Sequence, residues 1–89
     1  MVSVVMVSGS RIVAGGSCRS VSRAVSLVRK QNCNCIATFA RDADDILSDH
    51  GVSLAYDVSL DRFFIDNYAE MITEQIDNDV VVSLLESML

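Results

Sequence analysis

The sequence predicts an α+β domain, a small single sheet of three or four strands with helices packed on it and a helical C-terminus. Three observations carry this. Short runs of β-branched and apolar residues recur at 2–7, 33–40 and 52–58, the last alternating with period two. Helix-period apolar stripes with capping residues separate them. The 89 residues are 51% apolar, with four Gly and no Pro, which fits one domain over 1–89 and argues against a linker-rich or disordered chain.

Residues 2–7 read as a buried strand. Ser8-Gly9-Ser10 offers a turn, and Arg11-Ile12-Val13-Ala14 returns as a second strand, forming a hairpin; one strand followed by a long loop is the alternative. Gly15-Gly16 breaks the pattern. Ser17 or Ser20 then caps a helix running to about Gln31. Its apolar face is Val21, Ala24, Val25 and Val28. Arg19, Arg23 and Lys30 fall within about 40° of each other on the opposite face, at roughly 100° per residue, with Arg29 adjacent.

Cys33 to Ala40 reads as the next strand, with Cys33, Cys35, Ala37 and Phe39 on one side. Asp42 caps a short helix to His50, Asp44 and Asp45 occupy its positive first turn, and Gly51 ends it in the left-handed conformation. In the following strand Val52, Leu54, Tyr56 and Val58 point inward. Ser59 is expected to cap a long helix with Phe64, Ile65, Tyr68, Ile72 and Ile76 as its apolar stripe and Asp66, Glu70, Glu74 and Asp77 as an acidic one. The phase fails at Asp79, so the helix breaks at Asp77-Asn78-Asp79. A second short helix follows with Val81, Leu84, Leu85 and Met88 apolar, although Val80-Val81-Val82 also suits a strand.

Charge is segregated along the chain. Residues 1–41 hold Arg11, Arg19, Arg23, Arg29, Lys30 and Arg41 and no carboxylate. Residues 42–89 hold all twelve carboxylates against Arg62, so the net −5 divides into +6 and −11. Such a division concerns what a surface meets more than how the chain folds.

Several chemistries find little support. Cys18, Cys33, Cys35 and His50 have weak spacing for a zinc site, and first-turn placement already explains Asp42 and Asp45, so neither metal nor cofactor is expected. His50 is the only histidine, and no Gly-x-Ser-x-Gly elbow accompanies the serines; catalytic residues are not assigned and the chain is read as a non-enzyme. No apolar run approaches the ~20 residues of a membrane-spanning helix, and Arg11 follows the first apolar run where a signal peptide would place a base before it. A soluble intracellular protein, cytoplasmic or virion-associated, with reduced thiols is expected.

Ser8-Gly9-Ser10-Arg11 after a first strand, followed by Ala40-Arg41-Asp42-Ala43-Asp44 and His50-Gly51-Val52, resembles nucleotide-binding domains of the Rossmann-like family that includes DNA-processing and lysine-decarboxylase-like folds. The resemblance covers about half the chain. Phe39-Ala40 stand where that family carries glycines, and its function is not carried over.

The expected function is that of a non-enzymatic interaction protein, a small accessory or structural component of a larger assembly of viral or phage type. Its basic face would be Arg19, Arg23, Arg29 and Lys30, and its acidic face Asp66, Glu70, Glu74 and Asp77. A protein partner or self-association is expected, and no membrane. The alternatives are a nucleic-acid binder using the basic helix at 19–30, or an acidic inhibitor that fills a basic groove of a host protein. The two charged halves also suit pairing within one molecule, where surface pairs contribute ~0–1 kcal/mol each.

Overall fold

Valine-rich β1 (Val2–Ser8) turns at Gly9-Ser10 into β2 (Arg11–Cys18). Ser8 pairs with Arg11, which leaves a two-residue loop. Gly9 adopts φ 64°, the conformation a tight hairpin demands at its first loop position. The computed structural model describes the backbone of residues 1–67 and 72–89 and the side chains of 1–65 and 76–89. Beyond the hairpin the order is α1 (Val21–Lys30), β3 (Cys35–Ala40), α2 (Ala43–Leu47), β4 (Val52–Asp57), β5 (Arg62–Asn67), β6 (Ile72–Ile76) and α3 (Asn78–Met88).

The strands form one sheet in the order β2-β1-β3-β4-β5-β6, and every neighbouring pair is antiparallel. The architecture is α+β with a single sheet, as the sequence predicts, but with six strands where three or four are expected. Full antiparallel pairing also separates this fold from the parallel sheet that Rossmann-like domains use. Ser8-Gly9-Ser10 is a hairpin turn between antiparallel strands rather than a phosphate loop leading from strand to helix.

Period-two alternation sets the two faces of the sheet. Val2, Val4, Met6, Cys35, Ala37, Phe39, Leu54, Tyr56 and Phe63 are buried on one face. The apolar stripe Val21, Ala24, Val25 and Val28 of α1, with Val81 and Leu85 of α3, joins them in one core. The Ser20 hydroxyl accepts a hydrogen bond from the Arg23 backbone N–H at 3.3 Å and starts α1. Asp42 does the same for α2 by accepting from the Asp45 N–H at 3.2 Å.

Four expectations need correction. β2 continues through Gly15 and Gly16 to Cys18 instead of breaking there. A Cβ on Gly15 would lie 3.3 Å from the Val4 carbonyl oxygen, so the glycine permits close approach of the paired strand. Cys33 lies outside β3, because Asn32 with φ 56° ends the α1 turn and the strand starts at Cys35. Asp49, with φ 62°, takes the left-handed position after α2 in place of Gly51. Met88 is exposed rather than part of the α3 apolar face.

The largest correction concerns 59–77, which is expected as a helix: among its described residues Arg62–Asn67 and Ile72–Ile76 are the antiparallel strands β5 and β6, while Tyr68 and Glu70 of the expected stripes lie outside the described residues. Phe63, Phe64 and Ile65 are strand-favouring residues, and pairing of Phe63 with Tyr56 extends the sheet already begun by β4. The Asp57 carboxylate folds the preceding turn by accepting hydrogen bonds from the Ser59 N–H at 2.9 Å, the Ser59 hydroxyl at 2.6 Å and the Leu60 N–H at 3.3 Å. Asp61 completes the turn at φ 50°. Local helical periodicity loses to turn chemistry and an open sheet edge.

Candidate functional site

The reversal from β2 into α1 brings the basic residues together. Arg19 lies between Cys18, the last residue of β2, and Ser20, the cap of α1. Arg23 and Lys30 project from the exposed side of α1, opposite its buried valines. Together with Ser17, Cys18 and Ser26 they line a groove of about 430 Å³ between the sheet edge and the helix. Among the described residues, no carboxylate lies within salt-bridge distance of Arg19, Arg23 or Lys30.

Arg29 turns elsewhere. Its Nε and terminal guanidinium nitrogen donate to the two carboxylate oxygens of Asp61 at 2.9 and 2.8 Å. The Tyr56 hydroxyl donates to the same carboxylate at 2.6 Å. These donors, Arg29 first and Tyr56 second, hold the Asp61 carboxyl down at about 2. Burial, and then the bond to Asp61, pushes the Tyr56 phenol up to about 12. The network ties the end of α1 to the β4–β5 turn. It is a structural clasp, and it withdraws Arg29 from the basic groove.

The acidic residues do not share one helix face. Asp66 is on β5 and Glu74 on β6, paired in register with Thr73 and Ile65 respectively. Asp77 occupies the N-cap position of α3 without a side-chain capping hydrogen bond, and one of its oxygens lies 3.2 Å from the Arg62 guanidinium instead. Glu70 lies outside the described residues. What the topology does bring together is their place in the sheet: β6 is one edge, and β2 with its basic neighbours is the other.

Tyr56 is read from the sequence only as an inward residue, and neither Asp61 nor the bond between them is part of that reading. Asp57-Val58-Ser59-Leu60-Asp61 carries the signal, since Asp and Ser two residues apart favour a side-chain-closed turn. A second feature was also missed. The register aligns Ile12, Val7, Ile36, Ala55 and Phe64 in one apolar row across five strands on the face away from α1. A shallow cavity of about 480 Å³ lies over its centre.

No described helix is long and apolar enough to cross a membrane. Comparison with protein-family models, curated proteins and solved structures returns no match for this chain.

Proposed function

We propose that this chain is a non-enzymatic interaction protein, a small accessory or structural component of a larger assembly, which receives an acidic protein surface in the groove of Arg19, Arg23 and Lys30. The observation that carries the reading is the convergence of these three exposed cations on one groove with no described counter-charge. Arg29 shows the contrast, because a cation of the same helix is neutralised within the molecule. Three cations left open side by side attract anionic groups and steer encounter with them.

A protein partner is favoured over nucleic acid for two reasons. The residues lining the groove include no aromatic ring on which a base would stack. The net charge of −5 also opposes the approach of a long polyanion to the molecule as a whole.

The test is a titration with a fluorescently labelled polyglutamate peptide. Binding that weakens with salt, and is lost in the Arg23→Ala/Lys30→Ala variant, is expected. Absence of peptide binding, or tighter binding of a single-stranded oligonucleotide at the same salt, would overturn the reading.

A further inference from the structure

We propose that the acidic surface received at this groove is an extended segment of a partner protein with alternating acidic and apolar residues, which adds to the sheet as a strand beside β2. The proposal rests on the reading of the basic groove as a protein-binding site and names the form of its occupant.

β2 is an edge strand, and its backbone is open. A bulge interrupts its pairing with β1 between Met6 and Val7, which leaves Ala14 to Cys18 as a regular stretch. Gly15, Gly16 and Ser17 on this stretch are exposed, and the two glycines have no side chain to hold another backbone away. Neither Lys nor Pro, the residues that commonly guard a free edge, occurs within β2. A strand added to such an edge gains main-chain hydrogen bonds along its length.

The two faces of this edge differ. Gly16 and Cys18 pair with Val4 and Val2, and so lie on the side that carries α1. There the groove of Arg19, Arg23 and Lys30 opens beside Cys18. Gly15 and Ser17 pair with Val5 and Ser3, on the opposite side. There a hollow of about 230 Å³ lies between the sheet and α2, lined by Ser3, Val5, Gly16, Ser17, Ile46 and Leu47. The Ser3 and Ser17 hydroxyls lie 3.5 Å apart, each the other's partner, and Leu47 is 84% exposed. The edge therefore stands between a cationic groove on one face and an apolar hollow on the other.

That arrangement selects the occupant. Successive side chains of an added strand point to opposite faces. Carboxylates at every second position meet Arg19, Arg23 and Lys30, none of which has a carboxylate partner among the described residues. Apolar side chains at the positions between enter the hollow beside Ile46 and Leu47. A uniformly acidic segment leaves that hollow unfilled, and a uniformly apolar one leaves the cations unmet. The β2 strand of a second copy does not supply this chemistry, because it carries Arg11 and no carboxylate.

The experiment titrates the full chain with labelled peptides: one of strictly alternating Glu and Val, one of the same composition with Glu and Val in separate runs, and polyglutamate. The alternating peptide is expected to bind about tenfold tighter than the block peptide. Leu47→Ser, verified as folded by circular dichroism, is expected to weaken the alternating peptide several-fold and to leave polyglutamate unchanged. Only one set of amides in an added strand faces the sheet. N-methylation of the Glu amides and of the Val amides should therefore differ, one abolishing binding and the other sparing it. Equal affinity of the alternating and block peptides, or two methylated isomers that bind as the unmodified peptide does, would overturn strand addition and leave the basic groove standing. Failure of polyglutamate to bind would count separately, against the groove itself and the proposal with it.

Discussion

The Arg29 guanidinium grips both carboxylate oxygens of Asp61, 32 residues away in sequence, at 2.9 and 2.8 Å. This pair fastens the last turn of α1 to the β4–β5 turn, and Tyr56 joins it from the sheet. Its pH dependence follows from the sign of the shift. The folded-state pKa of Asp61 is depressed from 3.8 to about 2. Its stabilisation is therefore complete above the ordinary carboxylate range and is lost as pH falls from about 4 through 2. Both side chains are nearly half exposed, so salt screens the effect. Urea midpoints measured between these pH values should fall more steeply for wild type than for Asp61→Asn. Parallel curves would refute the clasp.

Tyr56 reports on the same network from the alkaline side. Its phenol is raised from 10 to about 12, so the stability it contributes is intact below pH 10 and is lost as pH rises through 12. The Tyr68→Phe variant leaves Tyr56 as the sole tyrosine. Its tyrosinate absorbance should develop with a midpoint near 12 while the protein remains folded. A midpoint at the ordinary value would show the hydroxyl to be free.

Gly51 has a steric role. A Cβ there would stand 2.6 Å from the Thr38 methyl and 3.0 Å from the Phe39 carbonyl oxygen. The methyl belongs to a short β-branched side chain and the carbonyl to the backbone, so neither yields freely. Gly51→Ala should shift β4 against β3 and destabilise the domain by about 1–3 kcal/mol, the usual range for overpacking. An unchanged denaturation midpoint would contradict this packing.

Leu85 is fully buried where α3 meets the core. Leu85→Ala should cost about 2–5 kcal/mol, as leucine truncations in cores do, and equilibrium denaturation measures it. Met88→Ala, one turn later and exposed, should change stability by less than about 0.5 kcal/mol. Equal losses at both positions would place the apolar face of α3 wrongly.

Legibility of the fold varied with how far each signal reached. The first hairpin, α1 with Val21, Ala24, Val25 and Val28 inward, and β4 with Leu54 and Tyr56 inward were readable because local periodicity and burial agree there. The β5–β6 hairpin was not. Phe64, Ile65, Ile72 and Ile76 fit a helical stripe equally well, and what decides against it is pairing with β4, a contact no local window contains. The basic site was readable as Arg19, Arg23 and Lys30. Arg29 was not separable from them, because its partner Asp61 is remote in sequence and is set in place by a turn.

The central claim is that the groove of Arg19, Arg23 and Lys30 receives an acidic protein surface. Titration of the wild type with a labelled polyglutamate peptide at low and high salt tests it most directly. Binding that weakens as salt screens the groove, and that is lost in the Arg23→Ala/Lys30→Ala variant, is predicted. No binding, or binding indifferent to both salt and that substitution, would contradict the claim.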